Sequence, residues 1–277
     1  MYEEQFKGWT KPGPMPSVSK IGPENDETLD TLCGHYRIFQ LARGHRFSTD
    51  DVLTAWYGTS FCPSARRILD LGSGIGSVGM IAAWRSPGAQ VVTIEAQDRS
   101  IALAKKSVAY NGLESRYKIL HGDFRSDLVL GLEAPFDLVL GSPPYFPLNS
   151  GIHGNHPQKV ACRFEVRGSI IDYAITASQH IAPGGVFACV FPQAQLDRVQ
   201  KAADQAELCI LRRRGIVLKE GVAPLLGLFI MVRKKDIPPS LHQITWVEPD
   251  LIIRQYGGAP HPEYATIKMV IGLPPHS

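Results

Sequence analysis

Short apolar runs alternate with longer amphipathic stretches from Arg66 onward. The runs have the length of buried strands, and the stretches between them repeat apolar positions with the spacing of helices. This alternation is typical of βαβ units and predicts a parallel sheet. The predicted strands are Arg67–Leu71, Gln90–Glu95, Tyr117–Asp123, Phe136–Gly141 and Gly185–Phe191, and the predicted helices are Ser77–Trp84, Asp98–Asn111 and Ser169–His180.

Two apolar runs near the end of the chain break this alternation. They cover Cys209–Leu218 and Leu225–Lys234, and a loop that contains Gly221 and Pro224 joins them. A loop without a crossover helix favours an antiparallel pair. The sequence therefore predicts a Rossmann-like α/β fold with a mostly parallel seven-stranded sheet, a late antiparallel strand pair and helices on both faces.

The composition indicates a soluble globular protein. Of 277 residues, 44% are hydrophobic, and no apolar run reaches membrane-spanning length. The N-terminus lacks the pattern of a signal peptide or transit segment. The cysteines are scattered and form no Cys-x-x-Cys pair, so we expect no disulfide framework, no metal and a cytoplasmic location. They are Cys33, Cys62, Cys162, Cys189 and Cys209.

Residues 1–30 differ in composition from the rest of the chain. They hold the segment Lys-Pro-Gly-Pro-Met-Pro and have a formal charge of −3, whereas the whole chain has +3 and residues 31–277 therefore have +6. A polar, proline-rich segment of this kind is typical of disorder. We expect a flexible polar arm over 1–30 and one domain over 31–277, whose positive charge mildly favours a polyanionic partner.

A glycine-rich turn follows the first predicted strand. Asp70 ends that strand, and Gly72, Gly74 and Gly76 precede the next helix. Glycines let a ligand approach the backbone, and Glu95, at the end of the second strand, can accept both hydroxyls of a ribose. An acid directly before the glycines repels a pyrophosphate but suits the cationic amino group of S-adenosylmethionine. A nicotinamide dinucleotide and a turn that only packs helix on strand are the alternatives.

Further residues complete the predicted cofactor site. Asp123 ends the third strand, where a carboxylate can accept a hydrogen bond from an adenine amino group, and Phe124 follows it. Thr49 or Asp50 can cap the apolar helix that begins before the first strand, and this segment serves either as a cap only or as a cofactor contact. The predicted cofactor-binding residues are Asp50, Asp70, Gly72, Gly74, Gly76, Glu95, Ala96, Asp123 and Phe124.

The fourth strand ends in the tetrapeptide Ser142-Pro143-Pro144-Tyr145. Two consecutive prolines stiffen the backbone and remove two N–H donors. The Ser142 hydroxyl and the Pro143 carbonyl can accept hydrogen bonds from an amino group and stabilise the charge that develops on its nitrogen during methylation. Tyr145 can stack on a base that has left its neighbours' stack. We predict that these four residues are catalytic; the alternative is a proline-stiffened turn with a surface tyrosine.

Basic side chains could contact the phosphates of a nucleic acid. The run Arg212-Arg213-Arg214 lies on a predicted strand, where a charge run is either a solvated face or an RNA contact. Arg163 and Arg167 follow the tetrapeptide and are further candidates. His153 and His156 have no third ligand nearby in sequence, which argues against a metal site.

With these motifs in order, the chain resembles the bacterial tRNA adenine-N6 methyltransferases, which modify the adenosine beside the anticodon of a valine tRNA. The resemblance covers about 34–271. It implies the class I methyltransferase fold, S-adenosylmethionine as cofactor with S-adenosylhomocysteine as product, and tRNA as partner. Four segments carry it: Gly44–Ala55, Asp70–Gly76, Ser142–Tyr145 with Gln158–Glu165, and Leu251–Arg254 with Pro262–Tyr264.

Ser142 departs from that family, which has asparagine at this position. In having serine there, the chain is similar to the cytosine-N4 DNA methyltransferases, which act on a chemically equivalent amine. The leading hypothesis is methylation of an adenosine N6 amine in RNA. The alternatives are another amine or amide (cytosine N4, or a protein glutamine) and an inactive protein of the same fold that binds RNA or a partner. The sequence leaves open whether a protein partner activates the chain.

Overall fold

A computed structural model describes residues 5–6, 9–16, 21–147 and 164–275. Its strands and α-helices are labelled in chain order. The strands are β1 (Gln5–Phe6), β2 (Trp9–Thr10), β3 (Glu27–Cys33), β4 (Tyr36–Leu41), β5 (Arg67–Leu71), β6 (Gln90–Glu95), β7 (Tyr117–His121), β8 (Phe136–Gly141), β9 (Ile181–Pro192), β10 (Leu208–Lys219), β11 (Leu226–Arg233) and β12 (Trp246–Arg254). The helices are α1 (Thr49–Phe61), α2 (Ser77–Arg85), α3 (Asp98–Tyr110), α4 (Asp127–Leu130), α5 (Ile170–His180), α6 (Leu196–Gln205) and α7 (Pro262–Val270).

The main sheet has the strand order β12-β10-β11-β9-β8-β5-β6-β7. Strands β5 to β9 pair in parallel, whereas β11 is antiparallel to both β9 and β10. The predicted fold, mostly parallel with a late antiparallel pair, is confirmed. An eighth strand, β12, extends it in parallel with β10. Its sequence Trp-Val-Glu-Pro-Asp lacks a continuous apolar run, which is why the pattern did not predict it.

Helices cover both faces of this sheet because its central strands are apolar on both sides. Adjacent residues of one strand point into different cores: Ile68 and Leu138 pack in one cluster, and Leu69 and Val139 pack in the other. The first core takes residues of α1, α2 and α3, and the second takes residues of α5 and α6. No helix in the described part of the chain is long and apolar enough to cross a membrane.

A β-hairpin made of β3 and β4 precedes the sheet and packs against α3. The amide of Phe39 donates to Ser107 Oγ at 2.9 Å, and the amide of Arg37 donates to Asn111 Oδ1 at 2.9 Å. Lys106 Nζ also lies 2.5 Å from the buried carboxylate of Glu27. The domain boundary expected at residue 30 falls inside β3, and the division into arm and domain remains a prediction.

The indole ring of Trp84 contacts three segments that are far apart in sequence, one of them the turn of this hairpin. The backbone at Gly13, Gly34 and Gly272 lies against its indole ring. The amide of Gly34 donates to the carbonyl of Gly272 at 3.1 Å. The hairpin is therefore held in part by residues that follow the last helix.

Candidate cofactor and amine site

A cleft of about 660 Å³ opens where β5, β6, β7 and β8 end. The carboxyl ends of parallel strands meet at one edge of the sheet, so residues far apart in sequence converge there. All four predicted catalytic residues line this cleft, and so do eight of the nine predicted cofactor-binding residues. Gly76 does not line it; this glycine has a φ of 87° and is the N-cap of α2.

The glycine turn presents its backbone to the cleft. Gly72 and Gly74 have φ angles of 59° and 55°, in the left-handed region that side chains rarely adopt. A Cβ atom at Gly72 would overlap the hydroxyl of Tyr173, whereas a Cβ atom at Gly74 would meet no described atom within 4 Å and would project into open space. The turn thus leaves room for a ligand beside Gly74.

Two carboxylates hold the turn in place. Asp70 is buried, and its Oδ2 accepts the amide of Gly79 in α2 at 2.9 Å. Burial raises the pKa of Asp70 well above its usual value, and the charges of Asp51 and Glu95 raise it further. Glu95 accepts the amides of Gly74 and Gln97, both at 2.8 Å, one on each carboxylate oxygen.

The loop after β7 supplies an acid and an aromatic ring, because this strand ends at His121 and not at the predicted Asp123. Asp123 is bound by Arg125, whose Nε lies 2.9 Å from Oδ1 and whose backbone amide lies 3.0 Å from the same oxygen. Phe124 is buried and meets Tyr173 with ring centroids 4.5 Å apart at 64°. The sequence did not indicate that Arg125 would neutralise Asp123.

The helix α1 brings two adjacent aspartates to the cleft. Its N-cap is Ser48, so the predicted cap at Thr49 or Asp50 was wrong by one or two residues. Asp51 Oδ2 accepts the Ser48 amide at 3.1 Å and the Ser77 hydroxyl at 3.2 Å. Burial, together with the charge of Asp50, raises the pKa of Asp51 to about 7.

The raised pKa of Asp51 predicts a pH-dependent stability. A carboxyl whose pKa is higher in the folded than in the unfolded protein stabilises the fold fully below about pH 4, and this contribution is lost as the pH rises through about 7. The side chain of Asp51→Asn resembles the protonated acid at every pH. The melting temperature of this variant, taken relative to that of the unmodified protein, should therefore be higher at pH 8 than at pH 5, by on the order of 2–5 °C.

Thermal unfolding of both proteins at the two pH values measures this effect. Asp197→Asn is the matched control, because Asp197 is exposed on α6. A difference between Asp51→Asn and the unmodified protein that is equal at both pH values would contradict the assigned role of Asp51.

The tetrapeptide lines the same cleft directly after the end of β8, which pairs with β5. The Tyr145 hydroxyl donates to Asp50 Oδ2 at 2.7 Å. The Tyr145 ring meets Phe191 edge-on, with centroids 5.9 Å apart at 88°. Burial and the charge of Asp50 raise the pKa of Tyr145 well above its usual value, so its hydroxyl remains protonated at neutral pH. Asp50, predicted as a cofactor contact, thus has a partner in Tyr145.

Of the predicted RNA-binding arginines, Arg212, Arg213 and Arg214 have described side chains, and these do not line the cleft. Arg163 and the side chain of Arg167 lie outside the described residues. Arg212 lies 3.1 Å from Glu248, and Arg213 is half-buried. Arg214 is buried and ion-paired with Glu263 at 2.6 Å. Because this internal pair uses its guanidinium, we do not carry Arg214 into the proposed RNA interface.

Comparison with known proteins decides the family. The model of the family described as "Methyltransferase small domain" matches residues 53–196, more than half of the chain and most of the residues that line the cleft. The chain belongs to the methyltransferase small domain family. Within this family of methyltransferases, the segment that matches begins inside α1 and ends as α6 begins.

Curated relatives of this methyltransferase include proteins named tRNA1(Val) (adenine(37)-N6)-methyltransferase. The protein of that name from Bacteroides thetaiotaomicron is 29% identical over 189 residues, which are 65% of this chain and 73% of the relative. The one from Pasteurella multocida is 26% identical over 222 residues, 79% of this chain and 86% of the relative. The resemblance that the motifs indicated is confirmed.

A solved structure confirms the class I methyltransferase fold. The crystal structure of a predicted O-methyltransferase from Agrobacterium tumefaciens superposes with a TM-score of 0.60 and covers 81% of this chain and 98% of its own. Its sequence is 19% identical, so this likeness concerns the fold alone.

The cleft of this methyltransferase fits S-adenosylmethionine by three observations. The Ser73 hydroxyl is buried at the cleft wall and has no hydrogen-bond partner among the described residues. Space is open beside Gly74. Acidic side chains outnumber basic ones along the wall, which suits a ligand with an ammonium and a sulfonium group. These acids are Asp50, Asp51, Asp70, Glu95 and Asp123.

Sequence reasoning missed several residues that line this cleft, among them Ser48, Asp51, Ser73 and Tyr173. Ser48 and Asp51 form a Ser-x-x-Asp pattern before an apolar run, and this helix-start signal could have found both. Ser73 lies inside the predicted turn. Tyr173 reaches the cleft from α5, and no local pattern marks it.

Proposed function

We propose that this methyltransferase transfers a methyl group from S-adenosylmethionine to the exocyclic N6 amine of an adenosine in a tRNA. The observation that carries the proposal is the convergence of two parts on one cleft: the acids and glycine turn at the ends of β5 to β7, and the tetrapeptide at the end of β8. The tRNA is the substrate class named for the curated relatives.

The acidic wall is proposed to hold the cofactor. When bound, S-adenosylmethionine supplies an electrophilic methyl group attached to a sulfonium. Asp70 and the backbone of the glycine turn would bind its methionine part, Glu95 its ribose hydroxyls, and Asp123 with Phe124 its adenine. A negatively charged carboxylate of this wall, such as that of Glu95, would favour the cationic cofactor over its neutral-sulfur product, which supports turnover. We propose no metal in this site.

The tetrapeptide is proposed to hold the target amine. The lone pair of an aromatic amine is delocalised, so the nitrogen must become tetrahedral as it reacts. The Ser142 hydroxyl and the Pro143 carbonyl would accept its two N–H groups and stabilise the positive charge that develops. Tyr145 would stack on the adenine, which must leave the stack of its neighbours to enter the cleft.

Ser142 makes this site distinctive within the proposed activity. A serine hydroxyl reaches less far than the asparagine amide that the tRNA adenine-N6 methyltransferases have there. The amine would therefore lie nearer the backbone of the tetrapeptide. The proposed phosphate contacts are Arg163 and Arg167, which follow the tetrapeptide in sequence, together with Arg212 and Arg213. We also propose that the protein acts in the cytoplasm and that residues 1–30 form an arm.

Methylation of RNA tests the proposal directly. The purified protein is incubated with isotope-labelled S-adenosylmethionine and total RNA from a strain that lacks it, and the tRNA fraction is digested to nucleosides for mass spectrometry. Labelled N6-methyladenosine is expected. Labelled N4-methylcytidine would overturn the choice of base, and label found only in protein would overturn RNA as substrate. Calorimetric titration without any binding of S-adenosylmethionine or S-adenosylhomocysteine would overturn the enzyme activity itself.

A further inference from the structure

The catalytic segment cannot hold itself in place through its own backbone. After β8 ends at Gly141, the next residues are Ser-Pro-Pro-Tyr-Phe-Pro, and three of these six lack an N–H group. Residues 142–145 form no helix or strand. A carbonyl group of this segment that is fixed by the protein therefore takes its donor from another part of the chain.

The side chain of Gln195 supplies one such donor. Gln195 ends a 3₁₀ turn between β9 and α6, and its Nε2 donates to the backbone carbonyl of Tyr145 at 3.1 Å. Its Oε1 accepts from Nη1 of Arg198 at 2.6 Å. Because a guanidinium only donates, this second bond fixes the amide with its NH₂ group toward Tyr145.

Arg198 connects the carbonyl and the ring of Tyr145. Its guanidinium lies 5.4 Å from the ring centroid of Phe191, the same ring that meets Tyr145 edge-on. It also forms an ion pair with Glu165, whose amide donates to the carbonyl of Phe146 at 3.0 Å. The contacts among Tyr145, Gln195, Arg198 and Phe191 thus close a ring.

We propose that Gln195 is a positioning residue for amine methylation, which it serves by fixing the peptide of Tyr145 while Arg198 fixes the Gln195 amide. The inference rests on the proposed function. Gln195 and Arg198 do not line the cleft, so both act through Tyr145 rather than on a bound molecule. At the other end of the residue, Asp50 binds the hydroxyl, so that Tyr145 is held at its backbone and at its tip.

Two substitutions separate the donated bond from packing. Gln195→Ala removes the side chain, and Gln195→Glu keeps its size and its pairing with Arg198 but cannot donate to the Tyr145 carbonyl. Gln200→Ala in α6, the helix that follows Gln195, is the control, because Gln200 is exposed and its Nε2 donates to Asp204 Oδ1 at 3.3 Å. Methylation rates at saturating RNA and cofactor, cofactor affinity by calorimetry and amide hydrogen exchange at Tyr145 and Phe146 are measured for each.

Both substitutions at Gln195 should lower the methylation rate at saturating substrates about 10- to 100-fold, since a shift of Tyr145 by about 1 Å is costly in a preorganised site. Cofactor affinity should stay within about twofold, and exchange at the two amides should become faster. Gln200→Ala should change none of these. Wild-type rates in Gln195→Glu, or unchanged exchange in Gln195→Ala, would overturn the proposal.

The proposed function can fail separately from this inference. If the unmodified protein methylates no RNA, the proposed function fails, while the exchange measurement still reports whether Gln195 holds Tyr145. Parallel loss of cofactor affinity and rate in both Gln195 variants would show a general structural role and would also overturn the positioning role.

Discussion

Replacement of Tyr145 by alanine should lower methyl transfer by about 10³-fold. Stacking of an aromatic side chain on a base contributes about 1–3 kcal/mol, and a base that is no longer stacked also loses its orientation toward the acceptors on Ser142 and Pro143. In the proposed site the ring contacts the target base rather than the cofactor. Affinity for S-adenosylmethionine, measured by calorimetry, should therefore stay within about threefold.

Phenylalanine at the same position divides this effect into two parts. Tyr145→Phe keeps the ring and removes only the hydrogen bond to Asp50, so we expect a loss of about tenfold. Initial rates with saturating tRNA distinguish the two variants. Full activity in Tyr145→Ala would contradict the stacking role, and equal losses in both variants would assign the whole effect to the hydroxyl.

Replacement of Gly74 by alanine should weaken S-adenosylmethionine binding about 10- to 100-fold. The new methyl group would meet no described atom of the protein but would occupy the space that the cofactor needs beside the turn. Its φ of 55° adds backbone strain on the order of 1–2 kcal/mol in the folded state. Isothermal titration gives the affinity, and chemical denaturation gives the free energy of unfolding.

Gly184 offers a matched control for that experiment. It has a φ of 74°, and a Cβ atom there would also meet no described atom within 4 Å, but it is an exposed residue of β9 and does not line the cleft. Gly184→Ala should lose similar stability and keep its cofactor affinity. Equal affinities in the two variants would refute the placement of the cofactor beside Gly74.

The strands that built the site could be predicted because they are buried on both sides. The bounds of β5, β6 and β8 agree with the sequence prediction residue for residue, since a continuous apolar run has sharp ends. Their ends then placed Asp70, Glu95 and Ser142 at one edge. The hairpin of β3 and β4 and the strand β12 are half-polar, so the same pattern did not reveal them.

Contacts between distant residues could not be predicted from local patterns. The bond from Tyr145 to Asp50 joins positions 95 apart, and the bond from Gln195 to Tyr145 joins positions 50 apart. The run Arg212-Arg213-Arg214 likewise suggests a single charged surface. Successive side chains of β10 point to opposite faces of the sheet, however, and Arg214 is buried in an ion pair with Glu263. Whether a charge meets solvent or a partner depends on the neighbouring strand, here β12, and on the helix α7 above it.

The hydrogen bond between Gly34 and Gly272 can form only late in the synthesis of the protein. The ribosome must add more than two hundred residues after the hairpin before its last partner exists. At about 5–20 residues per second this takes roughly 10–50 s. During that interval the emerging chain would lack the backbone of Gly272 that lies against the indole ring of Trp84, and chaperones that bind apolar surface could reach that part of the ring.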